Sequence, residues 1–358
     1  MYSDEDLQSA VSSGALSAEA ADALRAHVAA RHQMPLGDEE HFRLITGFND
    51  IFVTIAVAMI LVAMAGIGQV FTPALNGPPP FSGLLIAGAA WTMAEFFTRK
   101  RRMALPSIVL LLAFVGGVME SLLGFVVMAF DGQDPNERVA AGVVAGAALL
   151  TAGAAWLHWR RFMAPITVAA GAAAVAATVI ALILAAVGPD NIAPEQTLMP
   201  LVFAAGIAIF AFAMRWDMSD RTRTTRRADV AFWLHLLAAP MIAHPLFYWL
   251  GITRGDDLGI DGVIGVLFVY VALGFVALAI DRRALLVSAL AYVLAAITWL
   301  FDRFGAVELN IALTALVIGS ALLTLSAFWS PIRRSVVGML PGNLQSRLPV
   351  AGRTYASA

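Results

Sequence analysis

Three ionisable side chains stand inside stretches that are otherwise apolar enough for a bilayer: Glu120, His235 and His244. A charge in the hydrocarbon core costs a few kcal/mol or more, so such groups are candidates for proton or substrate handling. Glu120 lies between Val-Gly-Gly-Val-Met and Ser-Leu-Leu-Gly-Phe, roughly 5 Å outward of its span's middle at 1.5 Å per residue. His244 falls at a similar depth, so a carboxylate and an imidazole at one level are expected to form a buried pair or a proton relay. The plainer reading is a structural hydrogen bond that holds a helix together. His235 sits in the inner half of the same span. The nine-residue step from one histidine to the other turns an ideal helix by about 900°, which puts them on opposite faces, so they share a metal only if the prolines unwind the helix. A lone histidine on an apolar helix is more often hydrogen-bonded to a neighbour than a ligand.

Both histidines belong to residues 226–250, the only apolar stretch that combines ionisable groups with two helix breakers, Pro240 and Pro245. Pro240 cannot donate to the carbonyl of Leu236, nor Pro245 to that of Met241. Pro245 also disfavours helical dihedrals at His244. The expectation is a broken helix beside protein or a water-filled cavity. Three further carboxylates have structural readings at the inner interface. Glu95 is placed for an i, i+4 pair with Arg99, and Asp50 and Asp229 open their spans, where a carboxylate caps the first turn. His158, within Trp156-Leu-His158-Trp159-Arg160-Arg161, reads as part of an interfacial anchor. Residues 221–227, with four arginines, are placed to touch anionic headgroups.

The scaffold for these groups follows from composition. The chain is 60% hydrophobic and 13% charged, with a mean hydropathy of +0.79. A soluble domain carries about 25% charged residues, so this is a polytopic membrane protein by composition. The expected fold is an all-α transmembrane bundle of about ten spans, at 51–73, 79–98, 104–130, 139–158, 162–188, 198–215, 229–250, 259–280, 284–301 and 308–329. Residues 1–40 form a cytoplasmic helical hairpin and linker, 41–330 the transmembrane domain and 331–358 a cytoplasmic tail. In the hairpin, Ser3-Asp4-Glu5-Asp6 resembles a capping box, Gly14 stops the first helix and Ser17 caps the second. That second helix aligns Ala21, Leu24 and Val28.

Charge fixes the orientation. If the N-terminus is inside, the inner loops and tail contain Arg99 to Arg102 (Lys100 among them), Arg160, Arg161, Arg215, Arg221, Arg223, Arg226, Arg227, Arg282, Arg283, Arg333, Arg334, Arg347 and Arg353, against Arg138, Arg254 and Arg303 outside: 17 to 3. Both ends are therefore expected inside. Lys100 is the only lysine beside 22 arginines, which with abundant Ala and Gly points to a GC-rich bacterial genome and an inner-membrane location. Arg101-Arg102-Met-Ala-Leu-Pro106 and Arg160-Arg161-Phe-Met-Ala-Pro165 share a spacing, and Arg226-Arg227, Arg282-Arg283 and Arg333-Arg334 continue the pair. The series reads either as a repeated two-helix unit entered from the cytoplasm or as the arginine pairs that any short inner loop attracts. Gly142 and Gly146 form a small-xxx-small face expected to pack within the bundle.

The pattern Leu7-Gln-Ser-Ala-Val-Ser-Ser-Gly14-Ala-Leu16-Ser17-Ala-Glu19-Ala-Ala-Asp-Ala-Leu24, followed by paired spans, resembles a family of predicted bacterial membrane proteins known as a domain of unknown function. The resemblance implies a short cytoplasmic helical segment before many helices, and no chemistry.

With no cysteine, thiolate metal sites, disulfides and cysteine nucleophiles are excluded. There is no His-Glu-x-x-His motif, no phosphate-binding glycine loop with lysine and no Gly-x-Ser-x-Gly elbow, and Lys100 is in a loop. No cofactor, metal, catalytic residue or nucleic-acid partner is expected. Two functions fit. One is a proton-linked transporter using Glu120, His235 and His244. The other is a non-catalytic scaffold or regulator, its hairpin at residues 3–32 binding a cytoplasmic protein. Reporter fusions after Gly132, Asn191, Gly255 and Gly305 are expected to give an outer-side signal; a cytoplasmic signal from any one breaks the topology.

Overall fold

The computed structural model describes residues 10–24, 48–72, 77–130, 136–188, 194–221, 223, 225–252, 259–303 and 310–349. The chain divides into a terminal unit, to which 10–24 belong, and a main unit that holds the described residues from 48 to 349. In the terminal unit, residues 10–12 and 18–24 are helical. Gly14 turns the chain at φ 75°, a conformation that favours glycine. Ser17 Oγ accepts from the Ala20 amide at 3.1 Å, as expected of an N-cap. Ala21 is buried and Leu24 partly so. Val28, the Ser3 to Asp6 capping box and the linker lie outside the described residues.

The main unit is helical throughout. Its elements are α1 (Phe48–Phe71), α2 (Pro80–Ala94), continued by a π-helical turn (Glu95–Lys100), α3 (Ala104–Ala129), α4 (Glu137–Phe162), α5 (Ile166–Val187) and α6 (Pro194–Ser219). They are followed by α7 (Arg226–Trp249), α8 (Gly259–Ile280), α9 (Ala284–Arg303), α10 (Asn310–Ala327), α11 (Trp329–Met339) and α12 (Gly342–Gln345). Among the described residues nine helices are long and apolar enough to cross a membrane, ten if α10 with α11 counts as one bent span. The chain is an all-α polytopic membrane protein.

Helices pair across the arginine-rich turns. α2 packs most closely on α3, α4 on α5, α6 on α7 and α8 on α9. The linkers inside these pairs are short, which forces antiparallel neighbours. Each holds one non-glycine residue in the left-handed region: Arg102 (φ 53°), Met163 (φ 54°), Arg223 (φ 53°) and Asp281 (φ 58°). The paired helices are therefore offset by one from the units expected from sequence. The arginines sit at the bend of each hairpin and do not introduce it. Pro106 falls in the first turn of α3 and Pro165 is the N-cap of α5, where neither costs a helical hydrogen bond.

α7 is the hub. It packs on α5, α6 and α9, and 56% of its apolar window is buried, against 17–39% in the other spans. The helix runs unbroken from Arg226 to Trp249 with Pro240 and Pro245 inside it, which corrects the expected break. Helix–helix packing supplies the reason. Ala238, Ala239 and Ala243 are fully buried, and Gly206 of α6 lies so close that a Cβ there would be 3.0 Å from the Met241 carbonyl carbon. A carbonyl freed by proline is thus covered by a neighbouring helix, the condition under which membrane helices tolerate proline.

The glycines that permit close packing are not the expected pair. Gly142 and Gly146 are exposed, with open space where a Cβ would stand. α4 buries Ala145, Ala148, Thr151 and Ala155 on another face. Tight crossings lie between α1 and α2, where a Cβ on Gly68 would be 2.3 Å from Ser82 Cα, and between α2 and α3, where a Cβ on Gly83 would lie 2.5 Å from the Gly117 carbonyl oxygen and one on Gly117 2.6 Å from that of Gly83. Gly83→Ala is expected to destabilise the protein by about 1–3 kcal/mol through overpacking, whereas Gly142→Ala is expected to be neutral. Thermal unfolding in detergent compares the two; equal midpoints overturn the packing argument.

Candidate functional site

The last turn of α6 carries Asp217, whose side chain is completely buried. Across the α6–α7 hairpin it meets His235, at 2.9 Å from Nε2 to Oδ2. From the α8–α9 turn, Arg282 donates to Asp217 Oδ1 at 2.6 Å and to Oδ2 at 3.3 Å. The same guanidinium reaches the Ala228 carbonyl at 3.1 Å. His235 is 1% exposed and Arg282 3%. Two aromatic rings line the cluster: Phe210 lies edge-on to His235 at 5.1 Å and Phe232 faces Arg282 at 5.9 Å. The carboxylate is paired on both oxygens, as a buried charge requires. The remaining imidazole nitrogen, Nδ1 of His235, is buried without a hydrogen-bond partner.

A second layer of charge closes over the first. Arg223 donates to Asp281 Oδ2 at 2.8 Å and to the Ile280 carbonyl at 2.9 Å. Burial, with Arg282 nearby, presses the Arg223 guanidinium below its ordinary pKa, and Asp281 opposes this. Trp329 Nε1 donates to Asp281 Oδ1 at 2.8 Å, and Arg333 lies 3.5 Å from the same oxygen. Arg333 also donates to the Pro349 carbonyl at 2.8 Å and Arg221 to that of Leu348 at 2.9 Å. Asp220 accepts from the amide and the hydroxyl of Thr225, the residue that caps α7. Within the stretch expected at lipid headgroups, Arg221 and Arg223 are held by protein groups, while Arg226 and Arg227 are exposed.

The structure separates the residues expected to act together. His244 Nδ1 lies 2.7 Å from the Tyr292 hydroxyl, and Tyr292 stacks on Phe247 at 4.4 Å. Glu120 is half-buried in α3 and makes no hydrogen bond or ion pair with any described residue, so the Glu120–His244 pair does not form. α3 and α7 do not bring these two groups together. Glu95 pairs with Arg99 at 3.3 Å as expected, and more tightly with Arg161, at 2.6 and 2.9 Å. Asp50 is buried in the first turn of α1. Asp229 lies in the first turn of α7, but Thr225, four residues before it, is the cap there and accepts from the Arg227 amide at 3.3 Å. His158 is fully buried, 3.2 Å from Thr167 Oγ1 and enclosed by Trp91, Phe114 and Phe162, so it is a core residue and not an interfacial anchor.

Asp217, Arg282 and Tyr292 escaped the sequence reading. No spacing signal singles out this pair: the α6–α7 turn lies between Ser219 and Arg226, and reflection about its middle puts position 217 opposite Ala228 and not His235. Among the described residues no group of three or more His, Cys, Asp or Glu is placed to hold a metal ion. Comparison with family models, with curated proteins and with solved structures gives no match to this chain.

Asp217→Leu strands Arg282 in the bundle and is expected to cost about 3–5 kcal/mol. Adding Arg282→Met removes the stranded charge and is expected to restore most of the loss. Thermal unfolding of the single and double variants measures both; simple additivity of the two substitutions overturns the pairing.

Proposed function

We propose that this multi-pass membrane protein is a non-catalytic scaffold or regulator of a bacterial inner membrane. The arginine-rich helix ends and both termini then face the cytoplasm, and residues 3–32 meet a cytoplasmic protein. The closed cluster around Asp217 carries this reading. Its carboxylate is spent on Arg282 and His235, and the surrounding arginines hold turns and the segment that follows α11. A transport centre needs an ionisable group that a travelling proton or solute can reach. Asp217 is enclosed on every side, α7 is unbroken, and the cavity between α9, α10 and α11 is lined by none of Asp217, Glu120, His235 or His244. Such a cluster holds a shape that a partner can read. The surface for that partner includes Ser13, Glu19 and Asp22, which are exposed.

One observation favours the second reading, a proton-linked transporter. Glu120 is a half-buried carboxyl in mid-span without a partner among the described residues, which is how a transiently protonated group stands.

Photo-crosslinkers at positions 13 and 19 in cells, combined with proton flux in proteoliposomes, separate the two. The scaffold reading expects a discrete protein adduct at those positions, flux equal to that of empty vesicles, and no effect of Glu120→Gln. Flux above empty vesicles that Glu120→Gln abolishes, in a variant of unchanged thermal stability, overturns it in favour of transport.

A further inference from the structure

We infer that the elbow between α10 and α11 is a binding site for one anionic phospholipid, with its phosphate on Arg283 and an acyl chain between α9 and α10. α11 leaves α10 at 75°, so when α10 spans the bilayer α11 lies near its plane. The elbow encloses a cavity of about 170 Å³. Leu286, Val287 and Leu290 of α9 form one wall, and Leu322 and Leu325 of α10 the other. Its polar lining is confined to three residues, Arg283, Ser326 and Trp329. All three stand at the arginine-rich ends of their helices, while Leu290 and Leu322 lie one to two turns deeper. The site is therefore graded from cationic to apolar along the direction in which a lipid is graded.

The cation is available. Arg282, its neighbour in sequence, is buried on Asp217, whereas Arg283 turns the other way and lies 4.7 Å from the centre of the Trp329 ring. No carboxylate is paired with Arg283 among the described residues. Trp329 is itself fixed, since its indole nitrogen donates to Asp281. The stacked guanidinium keeps its N–H edge free, and that edge matches two phosphate oxygens. Ser326, exposed in the last turn of α10, adds a hydroxyl. A net anion is favoured because no described carboxylate is ion-paired with this guanidinium; a zwitterionic lipid brings its own cation to the same place. A free phosphate satisfies Arg283 but leaves the apolar walls without an occupant.

The test uses the full chain in detergent, with native mass spectrometry to count retained lipid as phosphatidylglycerol or phosphatidylcholine is added. One phosphatidylglycerol is expected to be retained at least fivefold more readily than phosphatidylcholine. Arg283→Gln is expected to abolish the preference, and Leu322→Trp, which fills the cavity, to weaken retention of both lipids. Arg283→Lys serves if the glutamine variant fails to fold, and is expected to keep part of the preference, because it retains charge without the planar stack. Inorganic phosphate at millimolar concentration is expected not to displace the lipid. Equal retention of the two lipids by the unaltered chain overturns the proposal, as does an unchanged preference in Arg283→Gln, or displacement by phosphate alone.

Discussion

The register of α6, α7 and the α8–α9 turn depends on one buried carboxylate. Removing the charge of Asp217 from water costs several kcal/mol, and that cost is recovered only if its oxygens are fully paired in good geometry. Satisfying it fixes three elements at once: the last turn of α6, the third turn of α7 and the left-handed turn between α8 and α9. The pairing adds little net stability over an apolar core of the same volume. It acts on register instead. If α7 slid by one turn, His235 would leave Asp217, and the Ala228 carbonyl would leave Arg282. An apolar interface between alanine-rich helices gives no such penalty, since one small residue packs much like the next.

That constraint explains how α7 keeps two prolines without breaking. The ion network anchors its first turns, and the His244–Tyr292 hydrogen bond with Phe247 stacked on Tyr292 anchors its last. Between these anchors lie Ala238, Ala239 and Ala243, all buried, and the close approach of Gly206 to Met241. The missing amide donors cost backbone hydrogen bonds, but the helix continues through both prolines while packed closely on α6. Proline lowers the helix's own preference, and the packing around it decides the outcome.

The sequence made the large features legible because the bilayer imposes them. Length and apolarity mark the spans, and arginine asymmetry marks their ends. The observed helices fall within a few residues of the ten expected segments. Gly14 and Ser17 were readable because turn and cap chemistry is local. The site was not, and Asp217 shows why. It lies two residues beyond the apolar window that defines its span, among arginines that hydropathy assigns to a solvated loop. Whether such a charge is solvated or buried depends on which helix lies opposite, and a one-dimensional pattern does not contain that. Glu120 and His244 illustrate the same limit from the other side: position along a span is readable, adjacency is not. Gly142 and Gly146 have the spacing of a packing face, but spacing leaves open which face a helix turns inward, and Ala145 and Ala148 take that place.

Three of the recurring arginine pairs divide their work in space. Adjacent residues on a helix point about 100° apart, so two neighbouring guanidinium groups cannot serve the same surface. In the second pair, Arg161 reaches across the exposed surface to Glu95 on the neighbouring hairpin, while Arg160 lies over Trp156 at 4.9 Å. Beside α9, Arg282 goes to Asp217 and Arg283 lies over Trp329 at 4.7 Å. On α11, Arg333 is buried towards Asp281 and Arg334 is exposed. In these three pairs one member joins helices and the other is turned elsewhere, two of them over an indole, whereas Arg101, Arg102, Arg226 and Arg227 are all exposed. A single arginine per turn satisfies the charge rule for orientation but leaves either the bundle or the interface unserved. The doubling in these three pairs is therefore accounted for by two separate physical demands at one end of the bundle. A bend with a left-handed residue, as at Asp281, lets the chain meet both within a three-residue turn.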